Sequence, residues 1–395
     1  MAATSPGPLD LFTVTAPGLE ALAVRELHAL GRTAHVAGTG GVAWRGSPRA
    51  VYDANLRSRI ASRILVRVDR FHASSFHELE RRAKRVPWSR FVTGHDVVRF
   101  RVTCHKSALY HSDAVAQRLA ESVIRATGAQ ALDTAPGDED DDPQSENGGT
   151  RPEQLFVVRL DHDTLTLSAD SSGALLHRRG YRLATAKAPL RETIAAAMLV
   201  ASGWDAATPL VDPMCGSGTI GIEAALLARR IAPGRERGFR FQAWPEADAA
   251  EWASVVSAAH DEELPSAPAP IIVSDRDAGA IEATIANAER AGVAEDVTVV
   301  QRPLSALGTP GEAGWIITNP PYGIRVGADV RNLYSTLGAL VRNAPAGWRL
   351  GMLSASVALD RQLQLPLEQV FDTRNGGIRV RFVRSRHTRG SDDEG

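Results

Sequence analysis

The run Leu210-Val211-Asp212-Pro213-Met214-Cys215-Gly216-Ser217-Gly218-Thr219 joins a short apolar strand to a helix through an acid and a glycine-rich turn. Glycine lets a backbone approach a ligand closely, and amides at a helix start are open to a negative group such as a carboxylate. The spacing does not suit a phosphate loop. No Gly-Lys-Ser/Thr follows, and Ile222 or Glu223 stands where a dinucleotide turn has its third glycine. That favours another adenosine-bearing ligand. Further on, Val273-Ser274-Asp275 ends a second apolar run, where a carboxylate can accept from both ribose hydroxyls or can cap the next helix.

A different tool stands at Ile317-Thr318-Asn319-Pro320-Pro321-Tyr322-Gly323. An amino group on an aromatic ring is a poor nucleophile because its lone pair is delocalised into the ring. Two acceptors, the Asn319 side-chain oxygen and a backbone carbonyl held by the prolines, can bind both N–H bonds and turn the lone pair toward an electrophile. Tyr322 can stack on the base, a contact worth roughly 1 to 3 kcal/mol. Methylation itself acidifies the nitrogen, so no strong base is required. Both motifs in this order, at the ends of the first and fourth strands of one sheet, specify amino methylation far better than either alone.

The elements that must position these residues form a helix-strand alternation from about Arg182. Strands are expected at Pro209–Pro213, Ile271–Asp275, Val297–Gln301, Trp315–Thr318, Leu350–Ser354 and Val380–Arg384, and helices start near Leu190, Thr219, Ala278, Asp329 and Val357. This is the pattern of an α/β doubly wound sheet with crossover helices. The first third reads strand-helix-strand-strand-helix-strand, the order of an α+β ferredoxin-like module. A second unit follows: a basic helix near 75–86, a strand at Val97–Thr103, a helix from about Tyr110 to Ala126, and strands at Leu155–Leu160 and Thr164–Ser168.

With these motifs the chain resembles class I S-adenosylmethionine-dependent methyltransferases of the amino-methylating branch. The upstream Leu176-His177-Arg178-Arg179-Gly180-Tyr181-Arg182, Ala188-Pro189-Leu190-Arg191-Glu192-Thr193 and Ile222-Glu223-Ala224-Ala225 narrow this. They look like the THUMP-containing RNA guanine-N2 methyltransferases of the RlmL type and their tRNA-modifying relatives. Ala16-Pro17-Gly18-Leu19-Glu20, Tyr52-Asp53-Ala54-Asn55-Leu56-Arg57-Ser58-Arg59 and Phe71 resemble their ferredoxin-like and THUMP region. The resemblance implies a Rossmann-like class I methyltransferase sheet over 171–390, a ferredoxin-like segment over 1–60 and a THUMP RNA-binding domain over 61–170. It implies that Asp212, Pro213, Met214, Cys215, Gly216, Ser217, Gly218 and Thr219 hold the methionine part of S-adenosylmethionine, Asp275 its ribose, and Asn319, Pro320, Pro321 and Tyr322 the target base. One position departs: Val300-Gln301-Arg302-Pro303-Leu304-Ser305 lacks the aspartate that such enzymes use for the adenine amino group, which leaves backbone groups or Gln301.

Charge and composition bound the partners. The 45 basic and 46 acidic residues nearly cancel, and all the basic residues except Lys84, Lys106 and Lys187 are arginines. From Arg57 to Lys106, however, thirteen basic residues face four acids (Asp69, Glu78, Glu80 and Asp96), a local excess of nine. That points to a phosphate-binding face, with Arg81, Arg82, Arg85, Arg99, Arg101 and Lys106 as candidates to grip structured RNA, either 23S rRNA or tRNA. Seven acids without a base from Asp133 to Asn147 mark an acidic insert at about 133–153, expected to be disordered. Two distant cysteines, Cys104 and Cys215, exclude a disulfide framework, and no metal site is expected. Cys215 lies in the cofactor turn and is read as packing. No secretory signal or membrane span is read, so a cytoplasmic location is expected. The resemblance implies as target the exocyclic N2 of a guanosine in 23S rRNA. The alternatives are a tRNA guanosine, an adenine N6 or glutamine amide, or an RNA-binding module without activity.

Overall fold

The computed structural model describes residues 7–131, 153–182, 190–322 and 328–386. Apart from Glu153, the acidic insert lies outside these residues, as do Ala188, Pro189 and Gly323.

The chain opens with β1 (Leu9–Val14), α1 (Glu20–Ala29), β2 (Ala34–Val36), β3 (Gly41–Gly46), α2 (Pro48–Arg57) and β4 (Arg63–His72), the order expected from the sequence. Ser47 caps α2 ahead of Pro48, whose missing N–H costs nothing at a helix start, and Ser75 caps the next helix by accepting from the Glu78 amide. That helix, α3 (Phe76–Ala83), is followed by β5 (Val97–His105), α4 (Ser112–Thr127), β6 (Gln130–Ala131), β7 (Glu153–Asp161) and β8 (Thr164–Asp170). All eight strands form one sheet ordered β2-β3-β1-β4-β8-β7-β5-β6. β4 joins its two halves, pairing antiparallel with both β1 and β8. On β5, Val98 and Phe100 are buried as the alternation requires. Phe100 stacks on Phe156 with centroids 5.3 Å apart, and the Trp88 ring meets Phe156 edge-on at 5.2 Å.

The second half contains α5 (Glu192–Ser202), β9 (Leu210–Asp212), α6 (Thr219–Ala228), α7 (Ala249–His260), β10 (Ile271–Asp275), α8 (Ala278–Arg290), β11 (Val297–Gln301), β12 (Ala313–Thr318), α9 (Ala328–Asn343), β13 (Gly347–Ser354), α10 (Val357–Asp360), β14 (Leu367–Asn375) and β15 (Ile378–Ser385). Its seven-stranded sheet runs β11-β10-β9-β12-β13-β15-β14. The first five strands are parallel, while β15 lies antiparallel between β13 and β14. The strand order reverses at β9, between β10 and β12, which is where open α/β sheets bind ligands at their carboxyl ends. α7 and β14 are absent from the sequence-based assignment.

The chain divides into two compact units, 1–15 with 23–176 and 237–258, and 16–22 with 177–236 and 259–395. Residues 237–258 thus pack in the first unit although they follow α6 in sequence. Buried Arg240 reaches Asp96 at 2.7 Å and Gln154 at 2.9 Å, and Phe241 stacks on Tyr52 at 4.5 Å. Among the described residues no helix is long and apolar enough to cross a membrane.

Candidate functional site

Asp212 ends β9 and is almost wholly buried, accepting from the Thr318 hydroxyl at 2.7 Å and the Met214 amide at 3.2 Å. The turn that follows needs left-handed backbone twice, at Gly216 (φ 53°) and Gly218 (φ 83°). At Gly218 a Cβ would also lie 2.6 Å from the Thr284 methyl, so only glycine fits. α8 clamps the turn from outside. Thr284 donates to the Gly216 carbonyl at 2.9 Å, and Asn287 donates to the Ser217 carbonyl at 3.0 Å. Cys215 is buried beneath the turn, burial pushes its thiol pKa up, and its sulfur lies 3.7 Å from the Thr284 hydroxyl. That suits packing and not nucleophilic chemistry.

Asp275 ends β10 with one carboxylate oxygen 3.1 Å from the Gly216 amide and the other 3.1 Å from the Asp277 amide. The cap of α8 is Asp277, which accepts from the Ala280 amide at 2.8 Å, so helix capping does not account for Asp275. Asn319 follows β12, and among the described residues its Oδ1 is buried without a hydrogen-bond partner. The Tyr322 hydroxyl accepts from Asn375 Nδ2 at 2.9 Å.

These strand ends line a cavity of about 550 Å³, within the range of cofactor pockets, roughly 300 to 1,000 Å³. Pro213, Met214 and Gly216 form one wall, Asp275 and Arg276 a second, Asn319 and Pro321 a third, and α9 closes it with Val330, Asn332, Leu333 and Thr336. Six of the sequence-derived site residues therefore meet around one space. Asp212, Cys215, Ser217, Gly218, Thr219, Pro320 and Tyr322 are not on its lining. The stretch after β11 contributes Pro303, Leu304 and Ser305. Gln301, a candidate for the adenine, instead points its amide at the Arg276 carbonyl, 3.4 Å away. The cavity fits an adenosine-bearing sulfonium in three respects. It has a glycine turn open to close approach, a carboxylate beside it and an unpartnered amide oxygen across from it.

Burial raises the Asp212 pKa to about 7 against the bonds from Thr318 and Met214, with the Asp275 charge adding to the rise. The folded protein therefore holds the protonated acid better than the unfolded chain, whose aspartates titrate near pH ~3.9. This group's contribution to stability is complete below that pH and is lost as pH rises through about 7, by at most ~1.4 kcal/mol per pH unit. Ligand-free protein should thus lose melting temperature between about pH 5 and pH 8 relative to its Asp212→Asn variant. Parallel melting curves would show that Asp212 is already ionised.

Behind the turn, two motifs far apart in sequence meet. Arg179 and Tyr181 both reach the buried Glu223 of α6, at 3.4 Å and 3.2 Å, and Arg182 pairs with Glu192 at 3.1 Å.

The proposed phosphate face is smaller than its sequence count. At least four of the thirteen cations pair with acids outside that stretch: Arg57 with Asp53, Arg63 with Asp170, Arg90 with Glu246 and Arg99 with Glu153. Arg99 is thus half-buried and engaged, and Arg101 is half-buried, although both are candidates from the sequence to grip RNA. Arg81, Arg82, Lys84 and Arg85 stand exposed on and after α3, and Lys106 is exposed after β5. In the same unit, His105, Asp161 and His162 come together although no metal spacing is visible in the sequence. Their ligand atoms lie within 4.8 Å of one another, and both rings bond Asp161, at 2.8 Å and 3.0 Å. These bonds, His105 first, hold the Asp161 carboxyl below its ordinary range.

Comparison with known proteins adds an independent line. The sequence model of the RMKL-like methyltransferase domain matches residues 179–383, and that of the RlmL ferredoxin-like domain matches residues 10–65. Among solved structures, a possible methylase from Clostridium difficile 630 is 27% identical with a TM-score of 0.83, covering 97% of this chain and 99% of its own. SMU.472, a protein assigned to the methyltransferases and complexed with SAH, is 28% identical with a TM-score of 0.82 and the same coverage. A predicted N6-adenine-specific DNA methylase from Listeria monocytogenes is 30% identical with a TM-score of 0.81, covering 95% of this chain and 96% of its own.

Proposed function

The chain belongs to the RMKL-like methyltransferase family, and from that premise we propose that it methylates the exocyclic N2 of a guanosine in structured RNA, in 23S rRNA. S-adenosylmethionine is the cofactor. When bound, it supplies a methyl group on a sulfonium centre. The observation that carries the reading is the unpartnered Oδ1 of Asn319 at the wall of the cavity. Leaving a buried acceptor unpaired costs about 1 to 3 kcal/mol, and an amino N–H of the target base removes that cost. With the second N–H on a backbone carbonyl of the proline turn, the nitrogen lone pair faces the methyl donor. The proton then leaves a nitrogen already acidified by its new substituent, so no strong base is needed. Asp275 binds the ribose hydroxyls, and the methionine part lies against the Gly216–Gly218 turn, whose Gly216 and Gly218 amides are already held by Asp275 and the Cys215 carbonyl.

The RlmL ferredoxin-like match over 10–65 supports RNA, and the choice of rRNA rests on the resemblance of the sequence motifs. A second reading, adenine N6, is favoured by the 30% identical Listeria protein and by the same Asn-Pro-Pro-Tyr logic. Mass spectrometry of nucleosides from a gene-deletion strain, with rRNA and tRNA separated, tests both. Loss of N2-methylguanosine from the rRNA supports the proposal, while loss from tRNA or loss of N6-methyladenosine overturns it.

RNA binding itself has a separate expected outcome. Replacing Arg81, Arg82 and Arg85 with alanine should weaken RNA affinity mainly at low salt and flatten its salt dependence by roughly one unit of slope for each phosphate that is no longer neutralised. Cofactor affinity should stay unchanged. If affinity and slope both survive, α3 is only a solvated surface.

A further inference from the structure

We propose that Asn375, the last residue of β14, is a positioning residue that holds the Tyr322 ring against the target base. The inference rests on the reading that Tyr322 meets that base. Asn375 is only 4% exposed, and its Nδ2 donates to the Tyr322 hydroxyl at 2.9 Å. The two prolines before Tyr322 stiffen its backbone but leave the ring free to swing about its side-chain torsions. Its hydroxyl has a side-chain hydrogen bond with Asn319 of its own turn, and the bond from Asn375 anchors the ring's tip to a separate strand.

The surroundings show that this wall is not arranged for stability. Among the described residues, Asn375 Oδ1, Thr373 Oγ1 on the same face of β14, and the hydroxyl of the fully buried Tyr334 on α9 are all buried without a partner. Asn319 Oδ1 is a further buried acceptor without a partner. Native proteins pair roughly 90% or more of their buried polar groups, so several unpaired ones around a single tyrosine call for an explanation. A leucine of similar shape at 375 would bury without an unpaired oxygen. Only a polar side chain reaching this far can donate to the Tyr322 hydroxyl. The hairpin supports the placement: Gly376 and Gly377, both left-handed, turn the chain tightly so that Asn375 pairs with Ile378 across the ladder.

The test compares Asn375→Leu, Tyr322→Phe and the double variant, using RNA from a strain lacking the gene and measuring single turnover and cofactor affinity. Misplacing a reacting group can cost up to about 100-fold. A loss of about tenfold in turnover is expected for each single variant, with no further loss in the double. Cofactor affinity and melting temperature should hold in Asn375→Leu, which removes an unpaired oxygen along with the donor. A second readout needs no activity. With all five tyrosines replaced by 3-fluorotyrosine, the fluorine resonance missing from Tyr322→Phe identifies Tyr322, and that line should shift in Asn375→Leu. Additive losses, wild-type turnover in Asn375→Leu or an unmoved resonance would overturn the proposal. If Asn375→Leu fails to fold, wild-type turnover in Tyr322→Phe overturns it equally. Tyr322→Ala separates the two levels: if it retains turnover, the base-binding reading fails, whereas if it is dead while Asn375→Leu is fully active, only the role of Asn375 fails.

Discussion

Asn319→Ala should reduce turnover by about 100-fold or more while leaving S-adenosylmethionine affinity nearly unchanged. The asymmetry follows from what the side chain does. Its Oδ1 is buried at the cavity wall with no partner among the described residues, while the rest of its amide bonds only its neighbour in the same turn, Tyr322. Its truncation therefore removes an acceptor that matters only once an amino group arrives and its lone pair must be aimed. Folding should not suffer, because the substitution abolishes an unpaired polar atom. Single-turnover rates beside calorimetric cofactor binding separate the two effects. Retained turnover would exclude Asn319 from the chemistry.

The second large effect is expected at Asp275. Asp275→Ala should weaken cofactor binding by roughly 1.5 to 3 kcal/mol, the scale of hydrogen bonds to a charged group. Part of that loss would come from the protein itself, since the carboxylate also accepts from the Gly216 and Asp277 amides and so ties β10 to the glycine turn. Asp275→Asn keeps an acceptor for one of those amides and loses the charge, so it should fall between wild type and alanine. Unchanged affinity in both variants, measured by calorimetry, would remove the ribose from Asp275 and leave it a purely structural clamp.

Part of the cavity was legible in the sequence, because Asp275 and Asn319 on its lining and Asp212 beside them each end an apolar run, whereas Arg276 and the α9 residues carry no such mark. Asp212, Asp275 and Asn319 announce themselves by breaking hydrophobic strands, and a proline directly follows Asp212 and Asn319. What supports them was not legible. Thr284, Asn287 and Thr318 reach the glycine turn and Asp212 from 68 to 106 residues away in sequence, and nothing in their local context distinguishes them from any helix or strand residue. β14 was missed because Leu367-Glu368-Gln369-Val370-Phe371-Asp372-Thr373-Arg374-Asn375 mixes charge with apolar residues and carries a register shift between Gln369 and Phe371. Asn375 went unread with it. The count of positive charges failed for the opposite reason. A sequence window includes Arg63 and Arg90 but not Asp170 and Glu246, which pair with them in the fold. Residues 237–258 escaped the domain division because the pairs that anchor them, Arg240 with Asp96 and Phe241 with Tyr52, join distant parts of the chain.

The most direct test of amino methylation at this site uses the purified protein, RNA from a strain lacking the gene and S-adenosylmethionine carrying a trideuterated methyl group. After digestion to nucleosides, mass spectrometry should find the deuterated methyl on guanosine N2, and the Asn319→Ala enzyme should deposit about 100-fold less of it in a single turnover. Deuterium on adenosine N6, on a ring carbon or a ribose oxygen, or no label in RNA while the protein binds its cofactor tightly, would contradict the account.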